Sequence, residues 1–140
     1  MKEELIYVFE DWFSVNLLPN WAFEEDGDIL NFYSTINPKG AIQVSFFKNN
    51  ETLSLEEVAV KYLNDFISQQ DIEIIPETYK VIETPEYTIA NTSGRSEEDF
   101  IKVWTIVNPK KMLLVTYISP KKTRELSQVD DIVYSINFVK

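Results

Sequence analysis

The stretch Met112–Ile118 constrains the fold more than any other part of this chain, since its sequence, Met-Leu-Leu-Val-Thr-Tyr-Ile, is apolar at almost every position. Successive side chains of a β-strand point to opposite faces, so an extended stretch of this kind is apolar on both sides. Strands of this type lie inside sheets whose two faces are both covered. We therefore expect Met112–Ile118 to be a central strand with helices covering it.

Alternation and strand-ending residues predict three further strands near the N-terminus. Phe13–Leu17 alternates apolar and polar side chains and is followed by Pro19, which has no N–H to donate to a ladder. Trp21–Glu25 and Ile29–Tyr33 flank Asp26-Gly27, a dipeptide that favours a two-residue hairpin turn with positive φ at both central positions. These residues predict a hairpin with an acidic tip.

Two similar turn sequences predict where further strands begin. Asn37–Gly40 has Pro at its second position and Gly at its fourth, as in a common β-turn, and we expect it to lead into a strand over Ala41–Phe47. The strand's apolar face would consist of three alternate residues: Ile42, Val44 and Phe46. Asn108–Lys111 is a second turn of this kind and leads into Met112–Ile118.

The segment between these turns contains a second predicted hairpin. Tyr87–Thr92 and Phe100–Val107 have the composition of strands, and Ser93–Asp99 between them is polar enough to be a turn. The segment Ile72–Ile82 is ambiguous, and its sequence fits a loop and a short strand.

Ser54–Glu57 is a capping box that predicts the start of a helix, with Leu53 and Val58 placed as the matching hydrophobic staple. Helical spacing of apolar residues continues to Gln69, and we expect Glu57 and Lys61 to pair on the solvated side. The predicted buried stripe has seven members: Leu55, Val58, Ala59, Tyr62, Leu63, Phe66 and Ile67.

A second helix is predicted over Pro120–Ser135, with Ser119 as its N-cap. Its predicted apolar face has five members: Leu126, Val129, Ile132, Val133 and Ile136. Together these elements predict an α+β fold, a largely antiparallel sheet built from hairpins, with two main helices on opposite faces.

Composition limits the chemistry. The 140 residues suffice for a single domain, and 13 basic against 23 acidic residues give a formal net charge of −10. Such a field repels nucleic acids and anionic membranes, so we expect neither as a partner. The chain has no Cys and no His, which excludes disulfides, Cys/His zinc sites and Ser-His or Cys-His relays. We predict no catalytic residue, no cofactor and no metal.

The N-terminal residues predict a cytoplasmic protein. Met1–Glu4 includes acidic residues where a secretory signal has only positive charge, and the apolar run Leu5–Phe9 is too short for the signal's hydrophobic region.

Trp12–Trp21 is an aromatic-rich segment that ends in a Pro and a Trp before a predicted hairpin, and Val115–Ile118 is followed by a predicted helix whose end is Asp131–Phe138. The first segment resembles the opening of the PsbP-like superfamily, and the other two resemble its final strand and helix. The superfamily includes the photosystem II protein PsbP, a nuclear-import factor that binds the Ran GTPase, DcrB-like lipoproteins, secretion-effector chaperones and bacterial families with no known role. This chain looks most like a cytosolic bacterial member of that last group. The resemblance implies an α+β fold for residues 1–140 and a role in binding other proteins.

Four carboxylates surround the predicted hairpin tip: Glu24, Glu25, Asp26 and Asp28. They are candidates for binding a basic partner surface or a hard cation, although a solvated turn also explains them. Seven aromatic residues either form the core or line a ligand cavity between sheet and helix: Trp12, Trp21, Tyr33, Phe46, Phe47, Trp104 and Tyr117. Alternation turns Phe47 away from the apolar face.

Ser119–Lys122 has the Ser-x-x-Lys spacing of penicillin-interacting enzymes, but the chain lacks their companion motifs. We therefore predict a non-catalytic protein-binding module, an adaptor, chaperone or inhibitor of a basic partner. Two alternatives stay open: a small-molecule-binding protein or carboxylate-based enzyme with a cleft between sheet and helix, and a dimerisation domain that pairs through a strand edge.

Overall fold

The computed structural model describes residues 5–139, apart from the side chain of Leu5, and contains eleven strands and two helices within them. The strands are β1 Leu5–Phe9, β2 Phe13–Leu17, β3 Trp21–Asp26, β4 Ile29–Ser34, β5 Ala41–Lys48, β6 Glu73–Ile74, β7 Lys80–Glu83, β8 Thr88–Ser96, β9 Asp99–Val107, β10 Lys111–Ser119 and β11 Asn137–Phe138. The helices are α1 Leu55–Gln69 and α2 Glu125–Tyr134. The α+β prediction is confirmed.

An eight-stranded antiparallel sheet organises the fold. Its strand order is β3-β4-β5-β10-β9-β8-β6, and β7 pairs with β8 beside β6. The strand predicted to be central, β10, lies in the middle of this order between β5 and β9. The segment Ile72–Ile82, left ambiguous by its sequence, contains both β6 and β7.

Helix α1 covers only part of one face of the large sheet. It packs over β8 and β9, where Val58, Ala59 and Leu63 are buried against Ala90 and Val103. The half of this face formed by β3, β4 and β5 lies beyond the helix.

The opposite face is covered by α2 together with a small sheet of order β1-β2-β11. Val129 and Ile132 of α2 are buried in the same core as Phe13 and Val15 of β2 and Trp104 of β9. The two helices therefore lie on opposite faces, as predicted. The sequence analysis did not identify β1 as a strand, and it provides the outer edge of this small sheet.

The start of α1 has the predicted capping residues, and the Glu57 carboxylate bonds to the Ser54 hydroxyl. The Ser54 hydroxyl accepts from the backbone N–H of Glu57 (3.2 Å) and donates to that residue's carboxylate (2.9 Å). The predicted pair between Glu57 and Lys61 is wrong, because Glu57 is held by Ser54 and the Lys61 ammonium lies 3.1 Å from the carboxylate of Glu51. That ion pair fastens the preceding loop to the helix.

The predicted start of the second helix is wrong by five residues. Ser119 remains in β10, paired with Phe100 of β9, so its backbone is extended rather than helical. Pro120 then begins a loop, and α2 starts at Glu125, where the Thr123 hydroxyl accepts from the first helical N–H (3.2 Å). The strand ladder takes precedence over the local signal for a helix.

The tip of the β3–β4 hairpin is displaced by one residue from the prediction. Asp26 pairs with Ile29, so Gly27 and Asp28 occupy the two central positions, and of these only Gly27 has a positive φ (63°). A glycine at the first central position is the pattern of a type II′ turn.

The hairpin between β8 and β9 is longer than predicted. Ser93–Asp99 was expected to be a turn, but Ser96 pairs with Asp99, and Glu97 and Glu98 alone connect the strands. The polar residues at the end of β8 indicate a turn when they are considered alone. They form a strand because β6 pairs with them, with Ile74 opposite Gly94.

Asn37–Gly40 is not the predicted β-turn, and its glycine is required for a different reason. The chain bends at residues 35–37 and is irregular from 38 to 40. A Cβ placed on Gly40 would lie 2.3 Å from the carbonyl oxygen of Ile118 and 2.8 Å from the Cβ of Ser119. Gly40 therefore permits the close approach of two backbones.

No helix in residues 5–139 is both long and apolar enough to cross a membrane. The segment Met1–Glu4, which contributes to the prediction of a cytoplasmic protein, lies outside the described residues.

We expect Gly40→Ala to lower the free energy of unfolding by about 1–3 kcal/mol, because the added methyl meets backbone atoms that cannot move aside. Urea denaturation measures this difference. Gly27→Asn is the matched control, since the tip has open space and Asn tolerates a positive φ. Equal losses for the two variants would contradict the close-approach explanation.

Candidate functional site

The hairpin tip divides its four carboxylates between the two faces of the sheet. Strand alternation puts Glu24 and Asp26 on the face that α1 covers in part, and the Tyr33 hydroxyl on that face donates to Glu24 (3.4 Å). Glu25 is on the opposite face and, with Asp28, lines a cavity there. The structure therefore places the predicted residues at two sites.

The cavity on the side of Glu25 lies between the small sheet and the hairpin and has a volume of about 330 Å³. Five aromatic residues line it: Tyr7, Phe9, Trp12, Phe23 and Phe46. Tyr7 and Phe23 meet edge to face with ring centres 4.8 Å apart, and the rings of Trp12 and Phe46 are 5.0 Å apart. We call this space the aromatic cavity.

Three exposed carboxylates also line the aromatic cavity: Glu10, Glu25 and Asp28. The face of an aromatic ring is electronegative and attracts cations, and a nearby carboxylate attracts them further. This combination suits an ammonium or guanidinium group with an apolar stem.

The same carboxylates do not assemble a metal site of the usual kind. Among residues 5–139, no three acidic side chains converge where they could hold a metal ion. At the hairpin tip the four carboxylates do not converge because Glu24 and Asp26 lie on one face of the sheet and Glu25 and Asp28 on the other.

The seven aromatic residues noted in the sequence have different locations. Trp104 and Tyr117 are fully buried in the core, and Trp21 is almost so. Trp12 and Phe46 line the aromatic cavity, which lies between the small sheet and the β3–β4 hairpin, whereas the cavity alternative considered from the sequence lay between sheet and helix. The side chain of Phe47 is 45% exposed on the other face, as its place in the alternation predicts.

Phe47 borders a groove between β5 and α1. Two adjoining cavities of about 320 and 230 Å³ share Phe66 of α1 and Leu114 of β10 as walls. Tyr62 at one end of this groove donates to Glu51 (2.8 Å), which raises the pKa of the tyrosine and lowers that of the carboxyl.

A wide cleft lies at the other end of the β3–β4 hairpin, beside the loop that leads into α2. Its volume is about 970 Å³, and its lining includes four cationic side chains: Lys39, Lys121, Lys122 and Arg124. We call it the basic cleft. The Ser119 hydroxyl of the Ser-x-x-Lys spacing donates to the backbone carbonyl of Lys121 (2.6 Å).

Glu125 holds one wall of the basic cleft in place. Its carboxylate accepts from the backbone N–H groups of Lys39 and Gly40 (both 3.1 Å) and from the hydroxyl of Tyr117 (2.8 Å). Burial raises the pKa of Tyr117, and the bond to Glu125 also raises it. The first residue of α2 thus joins the helix to the loop before β5 and to the central strand.

Sequence reasoning missed both cavities. The basic cleft brings Lys39 close to residues more than eighty positions later in the sequence. The aromatic cavity depends on β1, and the alternation of Tyr7 and Phe9 was the only local signal that one face of this strand is buried. Lys110 and Lys111 stay apart from the cleft, since the Lys111 ammonium binds the carbonyls of Asp11 and Val139.

Comparison with known proteins identifies a similar fold but does not assign the chain to a family. No family model matches the chain, and no curated protein matches it. The chain is similar to a crystal structure of a protein from Bacteroides thetaiotaomicron VPI-5482, with a TM-score of 0.65 and 16% sequence identity over 92% of this chain. The match spans 46% of that protein, so this chain corresponds to about half of its length. At this identity the similarity concerns the fold alone.

We expect Glu125→Ala to lower the free energy of unfolding by about 1–3 kcal/mol, because the buried Tyr117 hydroxyl and two backbone donors lose their acceptor. A double-mutant cycle with Tyr117→Phe, measured by urea denaturation, should give a coupling energy of about 0.5 kcal/mol or more. Strictly additive losses would show that the carboxylate and the hydroxyl act independently.

Proposed function

We propose that this chain is a non-catalytic protein-binding module that recognises a basic partner through the aromatic cavity. The observation that carries the proposal is the combination of five aromatic rings and three carboxylates around one opening of about 330 Å³. In this proposal a Lys or Arg side chain of the partner enters the cavity, with its stem on the rings and its charge toward Glu25 and Asp28.

Physical magnitudes support a side chain as the ligand. A cation over an aromatic face gains about 0.5–2 kcal/mol, depending on how far it is desolvated. One such contact is too weak to hold a free amine but suffices as an anchor within a larger interface. The net charge of −10 would also speed the approach of a basic protein at low salt.

The wider assignments belong to the same proposal. We propose that the chain has the PsbP-like fold that its sequence resembles, that it acts in the cytoplasm, and that its partner is a protein and neither nucleic acid nor membrane. The similarity in fold to the Bacteroides protein is compatible with these assignments and names no partner.

The contacts of two glutamates argue against the enzyme alternative. A general acid or base must exchange protons near neutral pH. Glu125 accepts hydrogen bonds from three donors, and the hydrogen bonds from Tyr62 and Lys61 to Glu51 lower the pKa of its carboxyl, away from neutral pH.

The test compares two variants with the same change in charge at the same hairpin tip. Glu25→Gln/Asp28→Asn alters the aromatic cavity, and Glu24→Gln/Asp26→Asn alters the other face. We expect the first variant to bind a fluorescein-labelled octalysine peptide about fivefold more weakly than the second, at about 0.5 kcal/mol per exposed carboxylate. Fluorescence anisotropy at low ionic strength measures both affinities.

An aromatic pair of variants tests the role of the rings. Tyr7→Leu should weaken octalysine binding, since it keeps an apolar wall and removes a π face, whereas Tyr7→Phe should keep the affinity. Indistinguishable binding by the two charge variants, or by the two Tyr7 variants, would refute recognition through the aromatic cavity.

The dimerisation alternative has one specific observation in its favour. The edge strand β1 exposes Ile6 (70%) and Val8 (63%), which are large apolar side chains with strong β preference. If copies pair there, light scattering should show a mass that rises with concentration in the wild type and stays monomeric in Ile6→Lys/Val8→Lys. A constant monomer mass in the wild type would eliminate this alternative.

A further inference from the structure

The acidic tip and the basic cleft lie at opposite ends of the same hairpin. Asp26 pairs with Ile29 at the tip, and Trp21 pairs with Ser34 at the base, where both residues line the cleft. At about 3.3 Å per residue, the two sites are separated by roughly 17 Å along the strands. A chain with a large excess of acidic residues thus concentrates positive charge at one place.

The cations of the basic cleft are free to bind a ligand. In the described part of the chain, ion pairs are formed by Lys61 and Lys102, and none of the four cationic side chains of the cleft forms one. All four are exposed. The one carboxylate in the lining, that of Glu125, is directed to two backbone N–H groups and the Tyr117 hydroxyl.

The arrangement of donors distinguishes between kinds of anion. A site for a single phosphate group uses fixed donors, typically backbone N–H groups, that converge on one point. Here the backbone donors of Lys39 and Gly40 are already taken by Glu125, and the cationic donors of the cleft stand on long, exposed side chains. Distributed charge over an opening of about 970 Å³ suits a ligand with several separate carboxylates.

We propose that the basic cleft binds an acidic peptide segment of a second protein, with its carboxylates on Lys39, Lys121, Lys122 and Arg124. The exposed side chain of Ile36, with the small exposed part of Trp21 beside it, provides apolar wall for the stems of the bound residues. The chain would then have two binding sites of opposite charge preference, one at each end of the β3–β4 hairpin.

The experiment measures binding of a fluorescein-labelled octaglutamate peptide by anisotropy, with a labelled Gly/Ser peptide of equal length as the reference probe. Wild-type protein should bind octaglutamate more tightly than the reference, despite the repulsion expected from its net charge of −10. Lys121→Gln/Lys122→Gln/Arg124→Gln should bind it at least tenfold more weakly.

Lys48→Gln/Lys80→Gln/Lys110→Gln is the matched control, because it removes the same number of positive charges from exposed positions outside the cleft. Its affinity should stay within twofold of the wild type. The proposal is overturned if both triple variants lose affinity equally, if wild type does not prefer octaglutamate, or if millimolar inorganic phosphate displaces the peptide, which would indicate a site for single phosphate groups. These residues lie outside the aromatic cavity, so the result is independent of the octalysine experiment.

Discussion

The antiparallel ladder of β5, β10 and β9 is the interaction on which the rest of this structure depends. β10 pairs with β5 over Lys111–Ile118 and with β9 over Met112–Ser119, and residues on its two faces belong to two different hydrophobic cores. Leu113, Val115 and Tyr117 face α2 and the small sheet, whereas Met112 faces the α1 side. A strand that is apolar on both faces needs two covering layers, and the remaining elements supply them.

Unequal cover of the two faces creates the openings. The small sheet and α2 share one face, and the aromatic cavity forms where the small sheet meets the β3–β4 hairpin. On the other face α1 covers β8 and β9, which leaves the groove beside Phe47. The basic cleft forms where Glu125 ties the start of α2 to the loop before β5.

The net charge of −10 does not predict the local charge at each binding site, because the fold places acidic and basic side chains in different regions. The carboxylates at the hairpin tip stand on two faces, and cations from two distant segments meet at the hairpin base. Both proposed ligands are charged, so salt should weaken binding at each site, while contact with Tyr7 or Trp21 would persist at ionic strengths that screen exposed charges. The proposals assign opposite charge preferences to the two ends of the β3–β4 hairpin.

The sequence by itself determined the elements whose signals are local: the doubly apolar β10, the capping box and stripe of α1, and the hairpin around Gly27. Prediction from the sequence was wrong where contacts with residues far away in the chain determine the local structure. Ser119 stays extended because β9 bonds to it, and the Lys61 ammonium meets Glu51 because the loop folds back onto α1. Only the tertiary structure brought together the four cations of the basic cleft and the five rings of the aromatic cavity. Their distances depend on which strands pair, and these strands are far apart in the sequence, so local periodicity does not predict the distances.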